Sequence, residues 1–545
     1  MVVIREHYDA LIKKYGKEAV PDLEWFSGII GFSIDTGQDT VKVELNPDRP
    51  DLYSFSTIFS AIDMFRNKKN HPFLEFQDPL MSLHVSKDVL KLRSFILCFS
   101  AHGNELSDNF HEIIDYQEKL HQTVGKNRVK FAIGIHDLKT LKPPFRYVSM
   151  DRDGIRFTTY DGKITGTPSE ILEKHELGAE YSHLIRDNNR VPLILDSVGN
   201  VLSMPPVING SVSRISESTR EIFVDITGDD WVSIRSAYYL LANYLRSIGF
   251  TVHSVKQDLG FRKDLSRYNK RKIMLPLSEV REILGIEIPT HSVENLLERM
   301  GYLVSHSERS FSVLVPGSRI DVMGPVDVIE DVGKAYGYDN VPGRKPELGT
   351  IGTVSRTSVW EDSIRTVLVG MGLQEIDTFF LQPSSYYEDV NYLGSVEIIN
   401  PKSIDFSVPR DRLLFGMLDF FRFNKRRKLP QEIFEIGKVV IDLTEKRHLC
   451  IGITNSKAGF SDIKRIIEPF FARLNVSVTV KSSKGMSSFI PGRVGSLIVD
   501  GKDVGIMGEI HPELLEKFEL PNPVAVAEID LDRLNNHNLL DSPSS

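Results

Sequence analysis

The sequence predicts a multidomain protein of mixed α/β and α+β class, and three observations carry that expectation. The first is length: 545 residues exceed what one hydrophobic core supports, which suggests three or four domains. The second is periodicity, because strand-type apolar runs and helix-spaced apolar faces keep changing places along the chain. The third is punctuation: glycines and prolines stand between these segments, and the one low-complexity stretch is the short Asp-Ser-Pro-Ser-Ser end.

An α/β domain is expected over residues 1–75. Val41, Val43 and Leu45 alternate with polar residues, the pattern of a half-buried strand. Asn46-Pro47-Asp48-Arg49-Pro50 then breaks the chain, since two prolines fix φ and remove amide donors. Beyond it Phe55, Ile58, Ile62 and Phe65 recur at helical spacing, and Arg66, Lys68 and Lys69 suit a helix C-terminus. The second domain, 76–265, mixes both element types. Ser94–Ser100, Val129–Ile135 and the glycine-closed Ile222–Gly228 are of strand type, and a long helix follows with Ile234, Tyr238, Leu241 and Leu245 on one face. Phe261–Lys272 packs six basic residues around Phe261 and Tyr268 and is a candidate linker.

A small module, 268–345, comes next. Ser278–Leu284 is a short helix stopped by Gly285. Thr290 is placed as the cap of a second helix, whose Val293, Leu296, Leu297 and Met300 form one face and which Gly301 ends. With a strand at Ser312–Val315, this order suggests a winged-helix-like unit. The last domain, 353–545, is α/β: Val396–Ile399 and Ile433–Ile436 are strands, and Leu414, Met417, Leu418 and Phe421 mark an amphipathic helix serving as core or contact surface.

Composition narrows the function. A net charge of −8 is too mild for a generic polyanion binder, so any nucleic-acid contact must come from local basic patches. The strongest are Arg422 to Lys428 and the candidate linker. Cys98 and Cys450, far apart, exclude a disulfide framework and a thiolate zinc site. No apolar run approaches the ~18 residues of a membrane span, and the charged N-terminus is unlike a signal peptide, so a cytoplasmic protein is expected.

The densest chemical signal is acidic. Asp327, Glu330 and Asp331 stand at i, i+3, i+4 on one helix face, and Asp321 lies on the preceding turn. Converging without a nearby cation they would repel, and a hard oxygen-seeking ion would neutralise them. Acidic residues also favour a helix's first turn for its dipole alone, and spacing leaves both readings open.

The residues around this cluster, Asp321…Asp327-x-x-Glu330-Asp331-Val332…Ala335-Tyr336-Gly337-Tyr338-Asp339-Asn340-Val341-Pro342, strongly resemble a module of phenylalanyl-tRNA synthetase beta chains. Similarity continues in order at Arg49-Pro50-Asp51-Leu52, at Ala132–Asp137, at Pro205-Pro206…Asn209-Gly210, at Asn400-Pro401, at Phe434–Gly437 and at Gly508–Glu513. The length matches the archaeal and eukaryotic cytosolic type, with no room for the bacterial insertions. The resemblance implies Mg²⁺ on Asp321, Asp327, Glu330 and Asp331. It also implies an editing domain, and a C-terminal antiparallel-sheet domain like a class II synthetase without catalytic residues. ATP would then be bound by a partner alpha subunit in an alpha2-beta2 heterotetramer acting on tRNA(Phe), with no membrane involved. The sequence agrees on the missing chemistry: Arg-x-Glu occurs nowhere, and Gly370-Met371-Gly372-Leu373-Gln374-Glu375 ends in a carboxylate where a triphosphate-binding arginine is needed.

Phenylalanine and tyrosine differ by one hydroxyl, which an apolar pocket rejects only by roughly 10²-fold, so a second hydrolytic sieve is useful. By resemblance the editing pocket is assigned to Leu202, Ser211, Asp225 and Thr227. Asp225 would accept from the tyrosine hydroxyl or substrate amine, Thr227 and Ser211 would orient water or ribose, and Leu202 would wall the ring. Asp225 and Thr227, two apart on a strand, must face the same side. A buried Asp–Thr pair tying a strand to a turn is the alternative. His136-Asp137 suggests general-base chemistry, but no serine or cysteine nucleophile motif accompanies it and such neighbour pairs are common in turns, so it is read as structural.

Overall fold

A computed structural model describes residues 2–67, 73–187, 189–258, 265, 267–307, 309–346, 349–388, 390, 394, 396–483 and 486–535. They form two compact units, Met1–Lys345 and Pro346–Ser545.

In the first unit, strands Val2–His7, Thr40–Leu45 and Ser33–Thr36 make an antiparallel sheet, with Val41, Val43 and Leu45 on its buried face. The prolines after Leu45 turn the chain into helix Phe55–Asn67, which buries Phe55, Ile58, Ile62 and Phe65 as the spacing predicts. Two further sheets face one another. One has four strands in the order Thr251–Ser254, Phe95–His102, Glu221–Gly228, Phe131–Asp137. The other has six, including Phe145–Asp151, Arg190–Leu195 and Val201–Met204. Cys98, Phe145, Leu202 and Phe223 pack between them. Helix Trp231–Ser247, capped by Asp230 through the amides of Val232 and Ser233, covers the opposite face of the four-stranded sheet. Ile234, Tyr238, Leu241 and Leu245 are all buried there.

The small module is built on strand Lys270–Pro276, which pairs with Ser310–Pro316 and so replaces the end of the expected linker. The linker's residues 261–264 and 266 lie outside the described residues. Helix Leu277–Leu284 ends at Gly285, whose φ of 66° is left-handed. Helix Thr290–Arg299 starts one residue earlier than expected: Pro289 holds the cap position, and no side chain caps it. Apolar residues of the N-terminal sheet, the four-stranded sheet and this module belong to one continuous core, so the unit's parts are fixed to one another by burial.

The second unit holds a seven-stranded sheet, antiparallel except where Gln374–Glu375 runs parallel to Gln431–Ile441. Alternation along Thr444–Thr454 splits the core, with Leu449, Ile451 and Ile453 under helix Phe460–Arg473 and Cys450 on the other face beside helix Leu414–Phe423. Leu414, Met417, Leu418 and Phe421 are buried in that helix, so its apolar stripe is core. Val396–Ile399 is not a strand: the amide of Ile398 meets the Ser407 carbonyl, Ile399 is 99% exposed, and no ladder forms before Pro401.

Candidate functional site

Strand Glu221–Gly228 decides where a site forms. Its residues Ile222, Val224 and Ile226 pack toward helix Trp231–Ser247, which turns Phe223, Asp225 and Thr227 toward the second sheet. Asp225 stands opposite Gly134 on the neighbouring strand, and Phe223 opposite His136. With no side chain at 134, the imidazole two residues on leans across, placing His136 Nε2 2.7 Å from Asp225 Oδ2. A Cβ added at Gly134 would lie 2.1 Å from that oxygen. On its other side His136 Nδ1 is 2.8 Å from Ser213 Oγ.

All three side chains are buried. An ionised carboxylate only accepts, so His136 Nε2 donates to Asp225. A neutral imidazole then offers Nδ1 as an acceptor to the Ser213 hydroxyl, which also lies 3.3 Å from Gly210 O and 3.4 Å from Leu202 O. Ser213, His136 and Asp225 thus form an unbroken hydrogen-bonded chain. Its two ends, Ser213 and Asp225, line a cavity of about 300 Å³. Among the described residues no donor reaches the second oxygen of Asp225, Oδ1. One wall is the loop carrying the cis peptide Pro205–Pro206, with Val207 and Ile208. At the rim Arg128 donates to Val207 O at 3.0 Å, pairs with Glu118 at 3.1 Å, and stacks over Tyr181. The result is an apolar, semi-open pocket with a carboxylate acceptor and a polarised hydroxyl in its wall.

Of the four residues expected in an editing pocket, Asp225 lines this cavity. Thr227 shares its face, as the spacing requires, and is held by Arg93, whose Nε and Nη2 donate to Thr227 Oγ1 at 3.0 Å and Thr227 O at 2.7 Å. Burial pushes that guanidinium below its usual range, against the attraction of Tyr147, Asp229 and Asp225. Leu202 points into the core between the sheets, and its neighbour Ser203 lines the cavity instead. Ser211 is exposed at the start of the 3-10 turn Ser211–Ser213, and Ser213 is the serine that turns inward. Asp137 does serve a turn, accepting from the Lys139 amide and Thr219 Oγ1. His136 does not: it lies on strand Phe131–Asp137, between Asp225 and Ser213.

The acidic cluster is arranged otherwise than its spacing suggests. Arg319, two residues before Asp321, donates to it from Nε at 3.0 Å and Nη2 at 2.7 Å, and its Nη2 also meets Asp331 at 2.6 Å. Tyr302 donates to Asp331 as well. Asp327 turns back to accept from the amides of Met323 and Gly324, and Glu330 pairs with Lys334 at 3.0 Å. Arg319 is thus the cation that the spacing argument left out. Among the described residues no three His, Cys, Asp or Glu side chains are grouped to hold a metal ion. Asp321, Asp327, Glu330 and Asp331, as placed, do not fit a magnesium cage.

Comparison with known proteins covers all of these regions. A family model for the phenylalanyl tRNA synthetase beta chain CLM domain matches residues 341–531. Models for the tRNA synthetase B5 domain and the B3/4 domain match residues 273–338 and 105–243. The phenylalanine–tRNA ligase beta subunit of Thermoplasma volcanium is 40% identical over 539 residues, 98% of this chain and 99% of that one. That of Thermoplasma acidophilum is 37% identical over 98% of each. Among solved structures, an N-terminal fragment of the Pyrococcus horikoshii phenylalanyl-tRNA synthetase beta subunit superposes with a TM-score of 0.56 at 28% identity. It covers 62% of this chain and all of the fragment.

Proposed function

The chain belongs to the phenylalanine–tRNA ligase beta subunits, and on that premise we propose that it supports charging by an alpha partner while itself hydrolysing mischarged tyrosyl-tRNA(Phe). The observation that carries the hydrolytic part is the pocket of about 300 Å³ with Asp225 and Ser213 in its wall, joined through His136. The volume suits an aromatic amino acid. Asp225 Oδ1 is the acceptor that rewards a tyrosine hydroxyl, which phenylalanine lacks, so selectivity is the reverse of a charging site's.

Hydrolysis needs a water activated against the ester carbonyl. Ser213 donates its proton to His136 Nδ1 as it takes one from that water, and Asp225 stabilises the imidazolium that forms. The water oxygen bonds the carbonyl carbon, the bond to the ribose oxygen breaks, and the proton returns along the same path to the ribose oxygen. Arg93 and Thr227 hold the strand beneath Asp225 in register.

Adenylation belongs, on this proposal, to the alpha chain of an alpha2-beta2 enzyme in the cytoplasm. The missing Arg-x-Glu supports that division. Exposed Lys425 to Lys428, at the end of helix Leu414–Phe423, are a candidate contact for tRNA phosphates or an acidic partner surface. The test is deacylation of tyrosyl-tRNA(Phe) by this chain with and without the alpha chain. Selective loss of tyrosine supports the proposal. If neither preparation cleaves the ester while the pair still charges phenylalanine, the chain is a scaffold and tRNA-binding subunit with an inactive pocket.

A further inference from the structure

The cavity beside Asp225, about 300 Å³, takes an aromatic amino acid and little more. If it hydrolyses the aminoacyl ester, the ribose carrying that amino acid, with its base and phosphate, must lie outside at the mouth. Two side chains of the lining reach solvent there. Tyr160 is the one aromatic residue among the described lining residues and is 42% exposed. Among the described residues no other ring packs on it. Arg214 lines the same cavity, is exposed, and among the described residues pairs with no carboxylate. The other arginine of the lining, Arg128, is already spent on Glu118 and on the carbonyls of Pro206 and Val207.

An exposed tyrosine is ordinary by itself, and what distinguishes Tyr160 is how firmly its backbone is held. It lies in the turn between strands Phe157–Thr158 and Thr165–Gly166. Its amide donates to Asn209 O at 2.9 Å, which ties the turn to the cavity wall, and Thr159 bridges to Gly210 beside it. The Gly162 amide closes the turn on Thr159 O at 2.8 Å, with Gly162 in the left-handed region at a φ of 74°. Asp161 accepts from Thr159 Oγ1 at 2.7 Å and from the Lys163 amide at 3.2 Å. Buried His175 takes the Leu177 amide on Nδ1, so its Nε2 donates to the second oxygen of Asp161, at 3.2 Å. A ring mounted this way loses little freedom when a flat partner lands on it, and every nucleobase has a flat face. Arg214 directly follows Ser213, so an unpaired cation stands one residue from the hydroxyl in the cavity wall.

We propose, on the reading of this pocket as an ester-hydrolysing site, that Tyr160 and Arg214 seat the terminal nucleotide of the mischarged tRNA. The base stacks on the Tyr160 ring, Arg214 meets the phosphate on its 5′ side, and the tyrosyl group enters the pocket. The chemistry stays with Ser213, His136 and Asp225. The test is binding, which needs no hydrolysis. The probe is tyrosine joined by an amide to 3′-amino-3′-deoxyadenosine 5′-phosphate, a stable mimic of the charged end. It is compared with tyrosinamide, which lacks the nucleotide, in equilibrium dialysis with the full chain. The mimic binds the wild type more tightly than tyrosinamide by about tenfold or more. Tyr160→Ala abolishes that advantage, and Tyr160→Phe, which keeps the ring, retains it. Arg214→Gln weakens the mimic about fivefold and flattens its dependence on salt, whereas a mimic without the 5′-phosphate binds Arg214→Gln and the wild type alike. A mimic no tighter than tyrosinamide, or one equally tight in the wild type, Tyr160→Ala and Arg214→Gln, overturns the proposal. A seat that binds as expected beside an ester that is never cleaved upholds it and overturns the hydrolytic reading alone.

Discussion

Asp225 gives one oxygen to His136 and leaves the other to the cavity. In Asp225→Asn, one oxygen becomes a donor while size is kept, so the tie to His136 or the acceptor for the substrate is lost. Deacylation of tyrosyl-tRNA(Phe) should fall by about 10² to 10⁴-fold. Ser213→Ala should fall in the same range, whereas Ser211→Ala, an exposed position, should deacylate at the wild-type rate. Quenched time courses with preformed tyrosyl-tRNA measure all three, and equal losses at 211 and 213 would sink the assignment of the inward serine. Family resemblance pointed to Asp225 and Thr227, and a strand's period of two added only that they share one face. It missed Ser213 because a 3-10 turn decides which serine of Ser211-Val212-Ser213 turns in, and no pattern encodes that. It missed His136 and Arg93 as partners because they lie 89 and 134 residues from the groups they hold.

At the scale of elements, two caps carry the argument. Helix Leu414–Phe423 begins on Glu528, which accepts from the amides of Leu413 and Leu414 at 2.9 Å and 3.2 Å and from His448 at 2.8 Å. Burial alone would raise this carboxyl's pKa, but His448 and the Leu413 amide overcome it and hold it below the usual range. A depressed folded-state pKa means stability that is fully present above the ordinary glutamate pKa and is lost as pH falls below it through the lower folded-state value. Glu528→Gln should therefore flatten the acid side of a plot of melting temperature against pH. It should also cost about 1–3 kcal/mol near neutrality. An unchanged acid limb would mean that the cap is not the titrating group.

The second cap surrounds helix Pro325–Tyr336. Arg319→Met leaves Asp321 and Asp331 buried without their cation, a loss of about 3–5 kcal/mol in chemical denaturation. EDTA should leave the melting temperature unchanged. A fall of several degrees that Mg²⁺ reverses would show that the four carboxylates regroup on an ion. The motifs here were legible as spacing, but the sequence argument stopped at the carboxylates and overlooked the arginine two residues upstream. Elsewhere element type was read correctly where periods were long, as in helices Phe55–Asn67 and Trp231–Ser247. It failed at Val396–Ile399, where among the described residues these four form no ladder.

Across the whole molecule, length and motif order pointed to several parts, and two compact units are present. The continuous core of the first could not be foreseen, because burial between parts is set by tertiary contact rather than by local pattern. The proposed division of labour rests on the missing Arg-x-Glu, and it predicts that this chain alone does not exchange pyrophosphate into ATP. The central claim is that the Asp225 pocket hydrolyses the wrong ester. It is tested most directly by the ratio of tyrosyl-tRNA(Phe) to phenylalanyl-tRNA(Phe) deacylation in the paired enzyme, wild type against Asp225→Asn, with the phenylalanine charging rate followed in the same preparations. The account predicts a ratio well above one that collapses in the variant while charging is unchanged. A wild-type ratio near one, or a ratio untouched by the substitution, would contradict it.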